Sequence, residues 1–149
     1  MVNLSAEDRA FLHQARVGRL ATASAAGEPH VVPVCFVFDG RHVYSAVDSK
    51  PKRVAAVRLR RLQNLRENPR ASLVVDSYEE DWARLRYVLV MGKGEILETG
   101  ADRERALDLL REKYPQYHAM HDLGQGPVIR LTLERIVSWR GAPATRGSP

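Results

Sequence analysis

Hydrophobic and polar positions change period several times along this chain. "LSAEDRAFLHQAR" reads as a short helix that Ser5 can cap, with Asp8 at the third helical position, close to a capping box. From Gly18 the pattern shifts to short apolar runs. "GRLATAS", "HVVPVCFVF" and "RHVYSAV" predict three strands, separated by Ala26-Gly27 and Asp39-Gly40, which are hairpin-type turn signals. Pro33 inside the second run points to an edge strand, or to a place where no ladder hydrogen bond is needed. A helix is predicted from about Pro51 to Arg66 and is stopped by "ENP", because the residue before a proline is pushed out of the helical region.

"RASLVVD" predicts a fourth strand and "RLRYVLVMGKGEILE" a long fifth. Gly92 and Gly94 within the fifth suggest a bulge or bend, as at a barrel corner. "GADRERALDLLREKY" has acids early, Lys113 late and Pro115 as a stop, which predicts another helix. The last strand is "GPVIRLTLERIVSWRG", with Ile129, Leu131 and Leu133 on one face and Arg130, Thr132 and Glu134 on the other. Strands joined by tight turns pair antiparallel, and strands and helices do not alternate regularly. The expected fold is mainly β with peripheral helices (α+β): a small six-stranded antiparallel barrel. One domain is expected over residues 1–141, with residues 142–149 a polar, disordered tail.

Composition narrows the class. The chain has 149 residues, 44% hydrophobic and 28% charged, as expected of a soluble globular domain with a real core. Cys35 is the only cysteine, so no intramolecular disulfide can form and a reducing, cytoplasmic setting fits best. Its place in an apolar run predicts a buried, structural thiol. The N-terminus has no apolar signal core, and no apolar run approaches the roughly 20 residues of a membrane helix.

Charge changes the picture more. The net charge is +5, but residues 50–66 hold seven cations (Lys50, Lys52, Arg53, Arg58, Arg60, Arg61 and Arg66) and no acid. The remainder has 23 − 7 = 16 basic against 18 acidic residues. This asymmetry points to a local anionic partner. Classical catalytic motifs are absent: there is no nucleophile elbow, P-loop, zinc-protease motif or GxGxxG. His118 and His121 are three apart but lack companion ligands, so no metal site is expected.

Three readings of the basic segment compete. A solvated face is the usual fate of a charge run, but such helices mix signs for i,i+4 pairing, and this one does not. Nucleic-acid binding lacks a recognised module or interleaved stacking aromatics. A phosphorylated small molecule would meet the free N–H groups of a helix N-terminus, reinforced by Lys50, Lys52 and Arg53. On a continuous helix Val54, Val57, Leu62 and Leu65 mark the apolar side, and Arg58 and Arg61 fall in the same arc. Those two arginines either snorkel outward or meet a ligand phosphate or acids of a second subunit.

"GRLATASAAGEPHVVPVCFVFDG", "VYSAVDSKPKR" and "NLRENPRASLVVD", in that order and spacing, resemble the split-barrel flavin and deazaflavin proteins related to pyridoxamine 5′-phosphate oxidase. "KPKR…LRRLQNLRENPR" is similar to the branch that uses the deazaflavin coenzyme F420 rather than FMN. The resemblance spans residue 5 to Trp139. It implies a six-stranded split β-barrel, a homodimer with the cofactor in a groove between subunits, and an oxidoreductase that passes a hydride to an unsaturated small molecule; the alternatives are an FMN-dependent oxidoreductase of the pyridoxamine phosphate oxidase type, or a flavin- or deazaflavin-binding protein without turnover. It implies no nucleic-acid or membrane partner. In the oxidases the phosphate turn reads roughly Tyr-Thr-Asn-x-x-Ser-Arg-Lys. Tyr44, Ser45 and Ala46 stand at its start and Ser49 at its serine; Lys50 replaces the arginine, Pro51 falls at the lysine and Lys52 supplies the missing charge. The implied cofactor residues are therefore Lys50, Lys52, Arg53, Ser45 and Ser49 at the phosphate, Val32, Pro33 and Val34 along the ring, and Arg58 and Arg61 at the anionic tail or the partner. No side chain stands out as a general acid, which hydride transfer tolerates because the cofactor carries the chemistry.

Overall fold

A computed structural model of the chain describes residues 2–47, 59–120 and 123–143. In chain order the elements are α1 (Ala6–Gln14), β1 (Gly18–Ala23), β2 (Pro29–Val34), β3 (Val37–Phe38), β4 (His42–Ala46), α2 (Arg60–Glu67), β5 (Arg70–Ser77), β6 (Arg86–Leu97), α3 (Ala101–Lys113) and β7 (Val128–Arg140). Ser5 caps α1 by accepting from the Asp8 amide at 3.1 Å. The Asp8 carboxylate instead meets Arg86 at 3.2 Å and Ser138 at 2.9 Å, which fixes α1 to β6 and β7. The β1–β2 hairpin turns at Gly27 (φ 85°) and the β3–β4 hairpin at Gly40 (φ 101°), both in the left-handed region that favours glycine.

All strands join one antiparallel sheet in the order β2-β1-β5-β6-β7-β4-β3. Its two edge strands, β2 and β3, are separated in the chain by Cys35 and Phe36 alone. Three residue steps span about 10 Å at most, so the sheet must curl until its edges nearly meet. It does not close: β2 and β3 share no ladder, and this gap makes the barrel a split one. Side chains stitch the gap. The Ser45 hydroxyl donates to the Cys35 carbonyl at 2.9 Å. The Tyr114 hydroxyl accepts from the Phe36 amide at 3.1 Å and lies 2.9 Å from the Phe36 carbonyl and 3.0 Å from that of Arg16, one of which its single proton serves.

The barrel interior is filled by Leu20, Phe36, Val43, Leu73, Val88, Val90 and Leu131, against which Leu12 of α1 and Leu62 and Leu65 of α2 pack. A second cluster buries Ala106, Leu107 and Leu110 of α3 against Val37, Tyr44 and Val128.

Three expectations need correction. The sheet has seven strands, because "HVVPVCFVF" divides into β2 and β3 where the chain crosses the split. Cys35 is therefore exposed and not a buried thiol: it lies beyond β2, in step with outward-facing Val31 and Pro33, while Val34 and Phe36 turn inward. The basic helix is not continuous. Leu59 is extended (φ −62°, ψ 133°), packs against the barrel core and begins α2 afresh, so helical phasing cannot relate Arg58 to Leu62. Pro33 does lie on an edge strand. The fifth strand carries an irregularity at Gly92, where Met91 faces Arg135 but Gly92 faces Leu133, leaving Glu134 as the extra residue of a bulge on β7.

Candidate functional site

Predicted contacts fall into two groups. Ser49, Lys50, Lys52, Arg53 and Arg58 lie outside the described residues. Ser45, Val32, Pro33, Val34 and Arg61 lie within them. Ser45 on β4 is buried, and its bond to Cys35 sets it beside the end of β2. That bond brings Val34 and Ser45 to the same mouth of the split. Along β2 the residues alternate: of the three predicted ring contacts, Val32 and Val34 turn toward the core, whereas Pro33, like Val31, exposes its side chain. A flat ring lying on this strand would meet Pro33 and the backbone of its neighbours. Arg61 sits half-buried on α2, which packs on β1 and β6 rather than beside β4.

The exit of the chain from β4 is firmly placed. Val47, the last described residue before the cationic turn, donates to the Pro127 carbonyl at 2.9 Å. Gly126 sits so close that a Cβ there would lie 2.1 Å from the Val47 carbonyl oxygen. Arg103 of α3, itself buried, holds this loop with bonds to the carbonyls of Gly124 (2.5 Å) and Gly126 (2.9 Å). At the other end of β4, Asp39 accepts from the amides of Arg41 and His42 and from the Arg105 guanidinium. Burial opposes its ionisation, yet these donors outweigh burial and hold its pKa down to about 2.

Sequence reasoning did not single out the groups around the mouth. Lys113 was read only as a helix-terminal cation. Its Nζ lies 4.1 Å from the Phe36 ring centroid, buried and with no hydrogen-bond partner among the described residues. Burial, with the nearby Arg16 charge, pulls its pKa down to about 8. Below pH 8 the folded and unfolded chains are both charged here and the penalty is constant. Between pH 8 and its ordinary value near 10.5 only the unfolded chain keeps the proton, so stability rises with pH. Lys113→Met should raise the urea midpoint at pH 7, and the gap to the parent protein should narrow by pH 10. A gap independent of pH would show that the ammonium is not the cause.

The outer face of the sheet was also missed. Val31, Tyr78, Trp82 and Trp139 are 63%, 63%, 68% and 45% exposed, and Tyr87 stacks on Trp139 with centroids 6.0 Å apart. The signal was present in β6 and β7, whose outward positions Tyr87, Leu89, Met91, Val137 and Trp139 are apolar while Val88, Val90 and Ile136 supply apolar inward ones. A sheet apolar on both faces expects cover on both.

These features define an antiparallel split barrel in which Val47, the last described residue before the cationic segment, is held by the Pro127 carbonyl. Residues 4–140 match the family model described as pyridoxamine 5′-phosphate oxidase, and the chain belongs to that family. It is 32% identical over 130 residues to the 5a,11a-dehydrotetracycline/5a,11a-dehydrooxytetracycline reductase of Streptomyces rimosus, covering 87% of this chain and 78% of that protein. The fold also resembles an F420 reductase (TM-score 0.64, 20% identity, 87% of this chain and 94% of that one). It likewise resembles a heme storage protein of Vibrio cholerae (TM-score 0.69, 18% identity, 93% and 97%). Family and relative together support an oxidoreductase. No described helix is long and apolar enough to cross a membrane, and no group of three or more metal-ligating side chains occurs among the described residues.

Proposed function

We propose that this chain is a reductase that uses coenzyme F420 and acts as a homodimer. The observation that carries the reading is the acid-free cationic segment 50–66, joined directly to the mouth of a split barrel of this family. Bound in reduced form, the deazaflavin would supply a hydride, which an unsaturated small molecule such as a quinone, enone or tetrapyrrole-like compound takes up with a proton from water. Lys50, Lys52 and Arg53 would neutralise its phosphate, with Ser49 donating a hydrogen bond. Ser45 would join them by turning its proton away from the Cys35 carbonyl. Pro33, with the backbone of Val32 and Val34, would flank the ring. Arg58 and Arg61 would meet the anionic tail or the second subunit.

A second copy of the chain would cover the exposed aromatic and aliphatic face of the sheet and wall the cleft. The relative from Streptomyces rimosus is a reductase by name, and an F420 reductase shares the fold, which supports this choice over FMN. The heme storage protein of the same fold supports the second reading, a cofactor-binding protein without turnover. Fluorescence titration with F420 and with FMN tests the first step, and multiple turnover of a quinone or enone by the reduced complex tests the second. F420 is expected to bind more tightly and to cycle many times. Tight binding without turnover would favour the second reading, and binding of neither cofactor would sink both. A monomeric mass by light scattering at micromolar concentration would contradict the shared cleft.

A further inference from the structure

Two cations meet at the split with no acid between them. Arg16 lies in the link between α1 and β1, and Lys113 is the last residue of α3. Both stand against Tyr114: the Lys113 Nζ is 5.4 Å from its ring centroid and the Arg16 Cζ 4.6 Å. The two charges are therefore no further apart than the sum of those distances, 10.0 Å. A lysine at the end of a helix ordinarily turns back to the free carbonyls, where the dipole favours it. Lys113 instead runs into the split. Its Nζ lies 4.1 Å from the Phe36 ring centroid, shielded from solvent and with no hydrogen-bond partner among the described residues. Arg16 is exposed, and its guanidinium likewise has no hydrogen bond or ion pair among the described residues.

Contact with aromatic faces offsets part of the cost of this crowding but gives no N–H an acceptor. Burial and the Arg16 charge disfavour the Lys113 proton, the Cys35 thiol favours it, and no carboxylate joins them. An anion completes such an arrangement, because it neutralises both charges and accepts from donors that nothing else takes. Neither cation belongs to the sheet, so the pair lies apart from the sheet face assigned to the second copy. Its neighbours Cys35 and Phe36 link β2 to β3 beside Ser45, so the pair borders the mouth.

We propose that Arg16 and Lys113 form an anion subsite at the mouth of the split, taking a carboxylate, sulfonate or phosphate group of the molecule bound there. Arg16 supplies the outer contact with its planar fork. Lys113 meets the same group by turning its ammonium outward about its own side-chain torsions. Assigning the group to the electron acceptor or to the cofactor rests on the reductase reading above; the subsite does not. The probe is inorganic sulfate, added to the full chain at millimolar concentration and compared with chloride at equal ionic strength. The readout is the titration of Lys113, followed by the NMR shift of its Cε carbon and assigned by its absence from Lys113→Met. Without sulfate the midpoint is expected at about 8. Saturating sulfate should raise it by about 1 pH unit, which corresponds to tenfold tighter binding to the protonated form. Arg16→Gln should raise the sulfate-free midpoint, because a like charge is gone. It should also weaken sulfate about tenfold, the loss of one charge-assisted hydrogen bond, and Arg16→Lys should recover part of that loss. A midpoint that moves no further in sulfate than in chloride, or equal sulfate affinity in the parent protein and Arg16→Gln, overturns the proposal. Two further measurements on Arg16→Gln name the source of the group. If it belongs to the acceptor, the ratio of kcat/KM for a naphthoquinone sulfonate to that for the uncharged naphthoquinone should fall about tenfold. If it belongs to the cofactor, that ratio stays and affinity for F420 or FMN falls instead. Sulfate binding as described, in a protein that binds neither cofactor, would retire the cofactor reading and leave the subsite standing. Tight cofactor binding with no effect of sulfate on Lys113 would do the reverse.

Discussion

Gly92→Ala should destabilise the protein by about 3 kcal/mol, the upper range for forced overpacking. A Cβ at Gly92 would lie 1.8 Å from the Thr132 carbonyl oxygen, 2.9 Å from its carbon and 3.2 Å from the Glu134 nitrogen. All three are backbone atoms of β7, at the point where the ladder steps over its extra residue. Relief therefore requires β6 and β7, the longest pair in the sheet, to part where they bend. Gly94 lies two residues on and provides the contrast. A Cβ there would lie 2.6 Å from a Leu65 methyl, the far end of a flexible side chain, so Gly94→Ala should cost about 1 kcal/mol, as a modest rotamer adjustment does. Urea unfolding of both variants measures the difference. A Gly92→Ala midpoint equal to that of Gly94→Ala would show that the close approach to β7 is not needed.

What the sequence revealed was local. The turns at Gly27 and Gly40 need left-handed backbone, and their dipeptides announce it. Ser5 caps α1 within one turn of itself. Pro33 and Gly92 were legible because each removes something a regular strand requires, an N–H donor in one case and a side chain in the other. The failures are where distant parts of the chain decide. "VCFVF" alternates as one strand would, with Val34 and Phe36 inward and Cys35 outward. Only barrel curvature, set by the long β5–β6–β7 ladder, pulls its halves to opposite edges. Leu59 sits in a run of good helix formers, yet its backbone is extended where it packs on the core, and α2 begins only at Arg60. Tyr114 satisfies the backbone of Phe36, 78 residues away, and Arg103 holds carbonyls 21 and 23 residues ahead; no local pattern encodes either. The candidate site divides in the same way. Its charge was legible as an acid-free run, whereas the point from which the chain enters that run is set by Val47 and the loop that Arg103 holds.

The double substitution Lys50→Ala, Lys52→Ala should weaken F420 binding by about 100-fold or more, since a hydrogen bond to a charged group contributes about 1.5–3 kcal/mol and two are removed. FMN affinity should fall by a similar factor, because both cofactors present a ribityl phosphate and the substituted residues are assigned to it. Arg60→Ala is the control for general attraction. Arg60 belongs to the same cationic run, but it is exposed at the first position of α2, beyond the break at Leu59. Long-range steering treats all seven cations alike and is strongly screened over about 10 Å at 0.1 M salt, whereas a direct contact depends on which residue is removed. Arg60→Ala should therefore cost no more than about threefold, the scale of an exposed charge interaction. Equal losses in the two variants, both vanishing at high salt, would mean that the segment attracts anions without holding one. An unchanged affinity in the double variant would remove the phosphate assignment itself. A large loss confined to the double variant and persisting in salt would place the phosphate at the turn that follows Val47, the point to which β4, Pro127 and Arg103 together direct the chain.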